Sequence, residues 1–111
     1  MSRVKQAALQ PPVIPDTVAT HMLKQGAKAI QDRAASRDLP DGERSMRRAV
    51  DAFNGLVGGD RRLTEREGWL FMVVLKMARA TAGRFNPDDY VDGAAYMALA
   101  GECEANTPQS G

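Results

Sequence analysis

The stretch Thr64-Glu65-Arg66-Glu67-Gly68-Trp69-Leu70-Phe71-Met72-Val73-Val74-Leu75-Lys76-Met77-Ala78-Arg79, followed by Asn86-Pro87-Asp88-Asp89-Tyr90-Val91-Asp92-Gly93-Ala94-Ala95-Tyr96, decides the fold. It opens on a capping box, in which the Thr64 hydroxyl and the Glu67 carboxylate satisfy each other's orphan amides. From there to about Thr81 the pattern is helical and apolar nearly all round. Such a helix is central, either inside the monomer or shared with a second subunit. Gly83 closes it, and Asn86-Pro87-Asp88-Asp89 starts the next helix with a cap, a proline at the first position and two acids at the positive end of the dipole. That helix runs to about Glu104 with a small-residue face of Ala94, Ala95 and Ala98 beside Gly93 and Gly101, which permits close backbone approach. The six-residue link 81–86 forces the two helices antiparallel.

Working outward, a second helix is expected over about 43–57, with Met46, Ala49, Val50, Phe53, Leu56 and Val57 on one stripe and Arg44, Arg47, Arg48 and Asp51 around it. Gly58-Gly59 stops it. A first helix over about 17–36 places Val18, Met22, Ala27, Ile30 and Ala34 at helical spacing, with Asp16 as its N-cap and Gly26 weakening it. Pro40 and Gly42 supply turn chemistry between these helices. Pro11, Pro12 and Pro15 make residues 1–15 a flexible arm, and 105–111 reads as a frayed tail. The expectation is an all-α fold, a single domain of about four helices over 16–104 with an antiparallel C-terminal hairpin.

Composition bounds the rest. At 111 residues and 12.0 kDa the chain makes one domain. Alanine accounts for 17 of its 48 apolar residues, so 31 larger ones remain for the core. A chain with so few large apolar side chains hardly surrounds an all-apolar third helix alone, which points to a homodimer through that helix. One Cys excludes an internal disulfide framework, and one His with one Cys falls short of a zinc site. No run approaches the ~20 apolar residues of a membrane span, and the first 20 residues carry no secretory hydrophobic region, so a cytoplasmic address is expected.

The formal charge of +1 hides an asymmetry. Residues 1–84 hold all 15 Lys and Arg against 9 Asp and Glu, a net of +6, whereas 85–111 hold no base and five acids, a net of −5. The arginine clusters have no aromatic residues interleaved and carry acids among them, which argues against nucleic acid as the partner.

One constellation can carry chemistry. Trp69, Met72, Lys76 and Arg79 share a strip on the third helix, and Asp89, Asp92 and Tyr96 share one on the fourth. Antiparallel packing sets the two cations against the two carboxylates. A phosphate on Lys76 and Arg79, a magnesium ion on Asp89 and Asp92 and an aromatic flanking a base would suit that arrangement. Opposite charges at facing ends of a helix hairpin most often form a partly buried salt-bridge network that fixes the packing, and that reading stands beside it. Asp32, Arg33 and Arg37, at the end of the first helix, add charge beside a glycine-containing loop. His21 has no Cys or Ser partner nearby, and Cys103 lies between Glu102 and Glu104, which disfavours its thiolate.

The order Asp32-Arg33, Pro40, Phe53-Asn54, Leu63-Thr64, Lys76-x-x-Arg79 and Asp89-x-x-Asp92-x-x-x-Tyr96 resembles an uncharacterised family of small phage and prophage proteins, over roughly residues 25–104. In those relatives the aspartate-arginine pair is followed by a tyrosine, glycine and proline loop, where this chain has Arg37 in the tyrosine's place. More distantly the pattern is similar to phage nucleotide-modification-associated domains and to all-α, MazG-like NTP pyrophosphohydrolases. Those enzymes bind magnesium-nucleotide between helices as dimers or higher oligomers. Their Glu-x-x-Glu and Glu-x-x-Asp pairs supply four carboxylates, of which Asp89-x-x-Asp92 matches the second pair and Lys76-x-x-Arg79 replaces the first. The resemblance therefore implies a nucleotide or other phosphorylated anion bound without catalysis. Two alternatives stand beside it. One is an interaction protein that inhibits a host protein through Arg44, Arg47 and Arg48. The other is a weak magnesium-dependent pyrophosphohydrolase.

Overall fold

All regular structure among the described residues, 16–37 and 45–107 of a computed structural model, is helical. The elements are α1 (Val18–Arg37), α2 (Ser45–Val57), α3 (Glu65–Ala80) and α4 (Pro87–Asn106). The expected arm 1–15, loop residues 38–44 and tail residues 108–111 lie outside the described residues. No described helix is long and apolar enough to cross a membrane.

The local signals account for the helix ends. Thr64 Oγ1 accepts from the Glu67 N–H at 3.1 Å, while Glu67 Oε1 accepts from the Thr64 N–H at 2.9 Å. That backbone donation to the carboxylate, with the Thr64 side chain behind it, holds Glu67 below the usual glutamate range. Just upstream, the Asn54 side chain grips Leu63 twice, donating from Nδ2 to its carbonyl and accepting its N–H at Oδ1, both at 2.9 Å. This clamp joins the last turn of α2 to the entrance of α3. Gly58 and Gly59, at φ of 70° and 91°, turn the chain out of α2 in between. Asn86 Oδ1 accepts from the Asp88 N–H at 3.1 Å, with Pro87 in the first turn of α4.

Two ends differ from expectation. Asp16 does not cap α1. Thr17 does, with its Oγ1 accepting from the Thr20 N–H at 3.1 Å and its own N–H donating to Thr20 Oγ1 at 2.8 Å. Asp16 instead approaches Lys24 at 3.8 Å, an exposed contact. At the other end, α4 continues past Glu104 to Asn106, where the Thr107 hydroxyl donates to the Cys103 carbonyl at 2.6 Å and ends the helix.

The centre of the fold is the α3–α4 hairpin, the most extensive helix contact. Trp69 meets Tyr96, Lys76 meets Asp92 and Arg66 meets Glu104, so the partner's number rises as the α3 number falls and the helices run antiparallel. α1 packs on α4 at one flank, and α2 packs on α3 at the other. Glycines make these approaches possible. A Cβ at Gly68 would lie 2.5 Å from Met46 Sδ and 2.8 Å from Val50 Cγ2, so α2 can cross α3 this closely only over a bare backbone. Gly26, which weakens the helix pattern in the sequence, faces α4, with a Cβ there reaching 3.4 Å from the Val91 carbonyl.

The core is small. Trp69, Tyr96, Leu99 and Ala100 form it, with Ile30, Met46, Leu70, Met72 and Val73 packed around. α3 is not enclosed by its own chain. Phe71, Val74 and Met77, spaced three apart, remain exposed along its outer side.

Candidate functional site

The hairpin register places a charged group inside the interface. Lys76 Nζ lies 2.9 Å from Asp92 Oδ2, with the two side chains only 12% and 23% exposed. Gly93 lies against it, and a Cβ there would sit 3.6 Å from Lys76 Cβ, an ordinary contact. The lysine stem therefore lies against the α4 backbone and its ammonium reaches the carboxylate one residue earlier.

One turn toward the start of α4 lies Asp89, 8% exposed and the one buried charged residue among those described. Its carboxylate has no hydrogen bond or ion pair with any described residue. A buried carboxylate without a partner is costly, and the positive end of the α4 dipole offsets only part of that cost. Asp89 lines a slot of about 200 Å³ between α3 and α4, together with Lys76, Val73, Met77, Ala80, Tyr90, Gly93 and Ala94. Apart from the lysine and the aspartate its walls are hydrocarbon and the Tyr90 ring. With Asp92 included, the ionisable groups carry one positive and two negative charges.

On the core side of this slot two rings and one cation stack. Tyr96 lies 5.6 Å from Trp69 at 23°, and the Arg33 guanidinium covers Tyr96 at 5.7 Å. Tyr96 is buried, so it belongs to the core and not to a ligand surface. Arg33 comes from α1 and fastens that helix to α4.

The other predicted residues are dispersed. Arg79 is exposed in the last turn of α3, at the same end as the slot, with no ion pair to a described residue. Asp32 is exposed and engaged by Lys28 at 2.8 Å, a hydrogen bond that holds the Lys28 ammonium above its usual range. Arg37 is the last residue of α1, and Arg44 lies outside the described residues. Arg47 and Arg48 are exposed on α2, where Arg48 donates to Ser45 Oγ at 3.4 Å. Arg47 borders a separate cavity of about 640 Å³ at the opposite end of the hairpin, with Arg66, Glu102 and Cys103. Sequence reasoning missed the slot walls Val73, Met77 and Tyr90, whose apolar character gives no signal beyond helix packing.

Asp89 and Asp92 do not make a ready magnesium site. Asp92 is bound to Lys76, and no cluster of three or more His, Cys, Asp or Glu side chains exists among the described residues. A magnesium ion there would have to displace the ammonium, leaving hydration to supply most of its six ligands.

Fold and site together define an all-α helical-bundle protein with a small, largely apolar slot in its central hairpin. The chain belongs to the family described as "Domain of unknown function (DUF6378)", which it matches over residues 21–104. No curated protein and no solved structure matches it.

The site makes a stability prediction. Lys76→Met leaves the Asp92 carboxylate unpaired in the hairpin interface, whereas Asp92→Asn keeps a hydrogen-bond acceptor for the Lys76 ammonium. We expect Lys76→Met to cost about 2–4 kcal/mol and Asp92→Asn about 1 kcal/mol, below the full cost of breaking a deeply buried pair because this one is partly wet. Urea midpoints at unchanged slope measure both; no loss in Lys76→Met would show that the pair does not hold the hairpin.

Proposed function

We propose that this protein is a non-catalytic binding protein that holds a nucleotide, or another phosphorylated anion, in the cleft between α3 and α4. The observation that carries the reading is Asp89, a buried carboxylate without a protein partner, in the wall of a slot it shares with Lys76. Folded proteins satisfy buried polar groups, and exceptions concentrate where a ligand or solvent completes them. The cations Arg79 and Arg84 stand exposed at the same end of the hairpin, and Lys76 keeps donors beyond the one given to Asp92. A ligand complementary to this end offers hydrogen-bond donors to Asp89 and negative charge to the cations, as a nucleotide does. Binding is favoured over hydrolysis because two-metal activation of water takes more carboxylates than Asp89 and Asp92 provide. Such binding would serve nucleotide metabolism or sequester a nucleotide signal of host defence, a role that rests on the resemblance to phage and prophage proteins alone. Inhibition of a host protein is the second reading, favoured by Phe53, Leu56 and Val57, which stand exposed on α2 beside Arg47 and Arg48.

Thermal unfolding with nucleoside monophosphates and triphosphates, with and without magnesium, tests the first reading. Ligand at a hundredfold excess over Kd stabilises by about 2.7 kcal/mol, which raises Tm by several degrees in a domain this small. Arg79→Ala is expected to weaken the effect without lowering the unliganded Tm. No shift with any nucleotide at millimolar concentration contradicts the reading.

The outer face of α3 supports a homodimer within the same proposal. Met46, Ala49, Val50, Phe53, Leu63, Phe71 and Met72 line an almost wholly apolar groove of about 430 Å³ between α2 and α3. In a two-fold arrangement the α2–α3 faces of two copies pair, and Phe71 of each enters the groove of the other. Light scattering should give twice the 12.0 kDa chain mass, with Phe71→Glu reducing it to one. A wild-type monomer at about 100 μM, far above the micromolar Kd of even a modest interface, excludes this dimer.

A further inference from the structure

At the end of the hairpin opposite the slot, the start of α3 and the end of α4 border a cavity of about 640 Å³, with Arg47 of α2 at its side. This volume falls within the ~300–1,000 Å³ of pockets that enclose small ligands. Its accessible walls, unlike those of the slot, are polar and apolar in about equal measure. Trp69 and Leu99, both core residues, supply apolar surface at its base. Charged side chains supply the rim.

Charge then separates the candidate ligands. Arg66 and Glu104 lie 3.2 Å apart and neutralise each other across the two helices. That leaves the side chains of Arg47, Glu65 and Glu102, none of which has a hydrogen bond or ion pair with another described residue. The complement of one guanidinium and two carboxylates is a molecule with one anionic and two cationic groups. The two carboxylates stand on different helices, and the axes of packed helices lie ~8–10 Å apart. A stem must therefore separate the two cations, and the base of the cavity is apolar, as such a stem requires. A phosphate ester would meet two carboxylates for one free guanidinium. A metal ion finds no group of three ligands among the described residues, and a hydrocarbon leaves every rim charge unmet. A basic amino acid fits, because an alkyl stem holds its side-chain cation away from the α-ammonium and carboxylate. We propose that this cavity binds a basic amino acid, with its stem over Trp69 and Leu99, its cations at Glu65 and Glu102 and its carboxylate at Arg47. The site is separate from the α3–α4 slot, and the inference does not rest on the nucleotide reading.

Trp69 is the chain's single tryptophan, so its emission reports on the base of this cavity. Fluorescence titration of the full chain at constant ionic strength tests the proposal with lysine, norleucine, Nα-acetyllysine and cadaverine. Each of the three analogues lacks one of lysine's charges. Lysine should give a saturable change, and each analogue should bind severalfold more weakly, the scale of one partly screened ion pair. Arg47→Gln should lower lysine affinity to about that of cadaverine, and Glu102→Gln should weaken lysine severalfold. Both side chains are exposed, so the unliganded Tm of either variant should stay unchanged. If the analogues bind as well as lysine, or both variants bind lysine like the wild type, the assignment is overturned. It is equally overturned if lysine at about 10 mM, well above a millimolar Kd, leaves both emission and Tm unchanged.

Discussion

The ion pair between Lys76 and Asp92 is the contact on which the rest of the molecule depends. Both groups are largely withdrawn from water, where a charge is tolerable only with its partner in place. The pair therefore specifies the hairpin register more sharply than the alanines and valines around it, which would tolerate sliding. With Lys76 set against Asp92, Trp69 must lie against Tyr96, and Arg66 comes within 3.2 Å of Glu104. The same register leaves Asp89 one turn away, buried, with the lysine already engaged. Structure and site share an origin: the pairing that locks the hairpin creates the carboxylate it does not satisfy.

A thin core has consequences elsewhere. Seven hydrophobic residues are buried among those described, five of them on α4: Val91, Ala95, Tyr96, Leu99 and Ala100. Small side chains bury little area each, and the closeness that Gly68 and Gly26 allow recovers dispersion energy that larger residues would otherwise supply. Even so, Phe71, Val74 and Met77 on α3 and Phe53, Leu56 and Val57 on α2 remain in water. These residues lie on adjacent helices and give the α2–α3 side of the molecule an apolar surface.

Much of the fold was legible because its signals are local. Thr64 with Glu67 marks the start of α3, Asn86 with Pro87 marks α4, and the short link between them dictates the hairpin. From that hairpin the facing of Lys76 and Asp92 follows by counting turns. Legibility failed where a tertiary contact decides. Gly26 reads as a helix weakness until α4 is seen against it, and Asp16 reads as a cap until Thr17 and Thr20 are seen bonding to each other. Tyr96 has the spacing of a ligand residue, yet Trp69 and Arg33 enclose it. The apolar character of α3 predicts burial on every side, and one side is exposed. No pattern in the sequence shows which of two neighbouring aspartates receives the single lysine, and that choice is what makes Asp89 a candidate for ligand contact.

The central claim is that the α3–α4 slot, and not the larger cavity at the opposite end of the hairpin, receives the nucleotide. Amide chemical-shift mapping of the full chain titrated with GMP addresses it most directly. Perturbations that saturate and cluster at Val73, Lys76, Ala80, Asp89, Tyr90, Gly93 and Ala94 are the predicted result. Perturbations centred on Arg47, Glu102 and Cys103, or none at millimolar GMP, would contradict it.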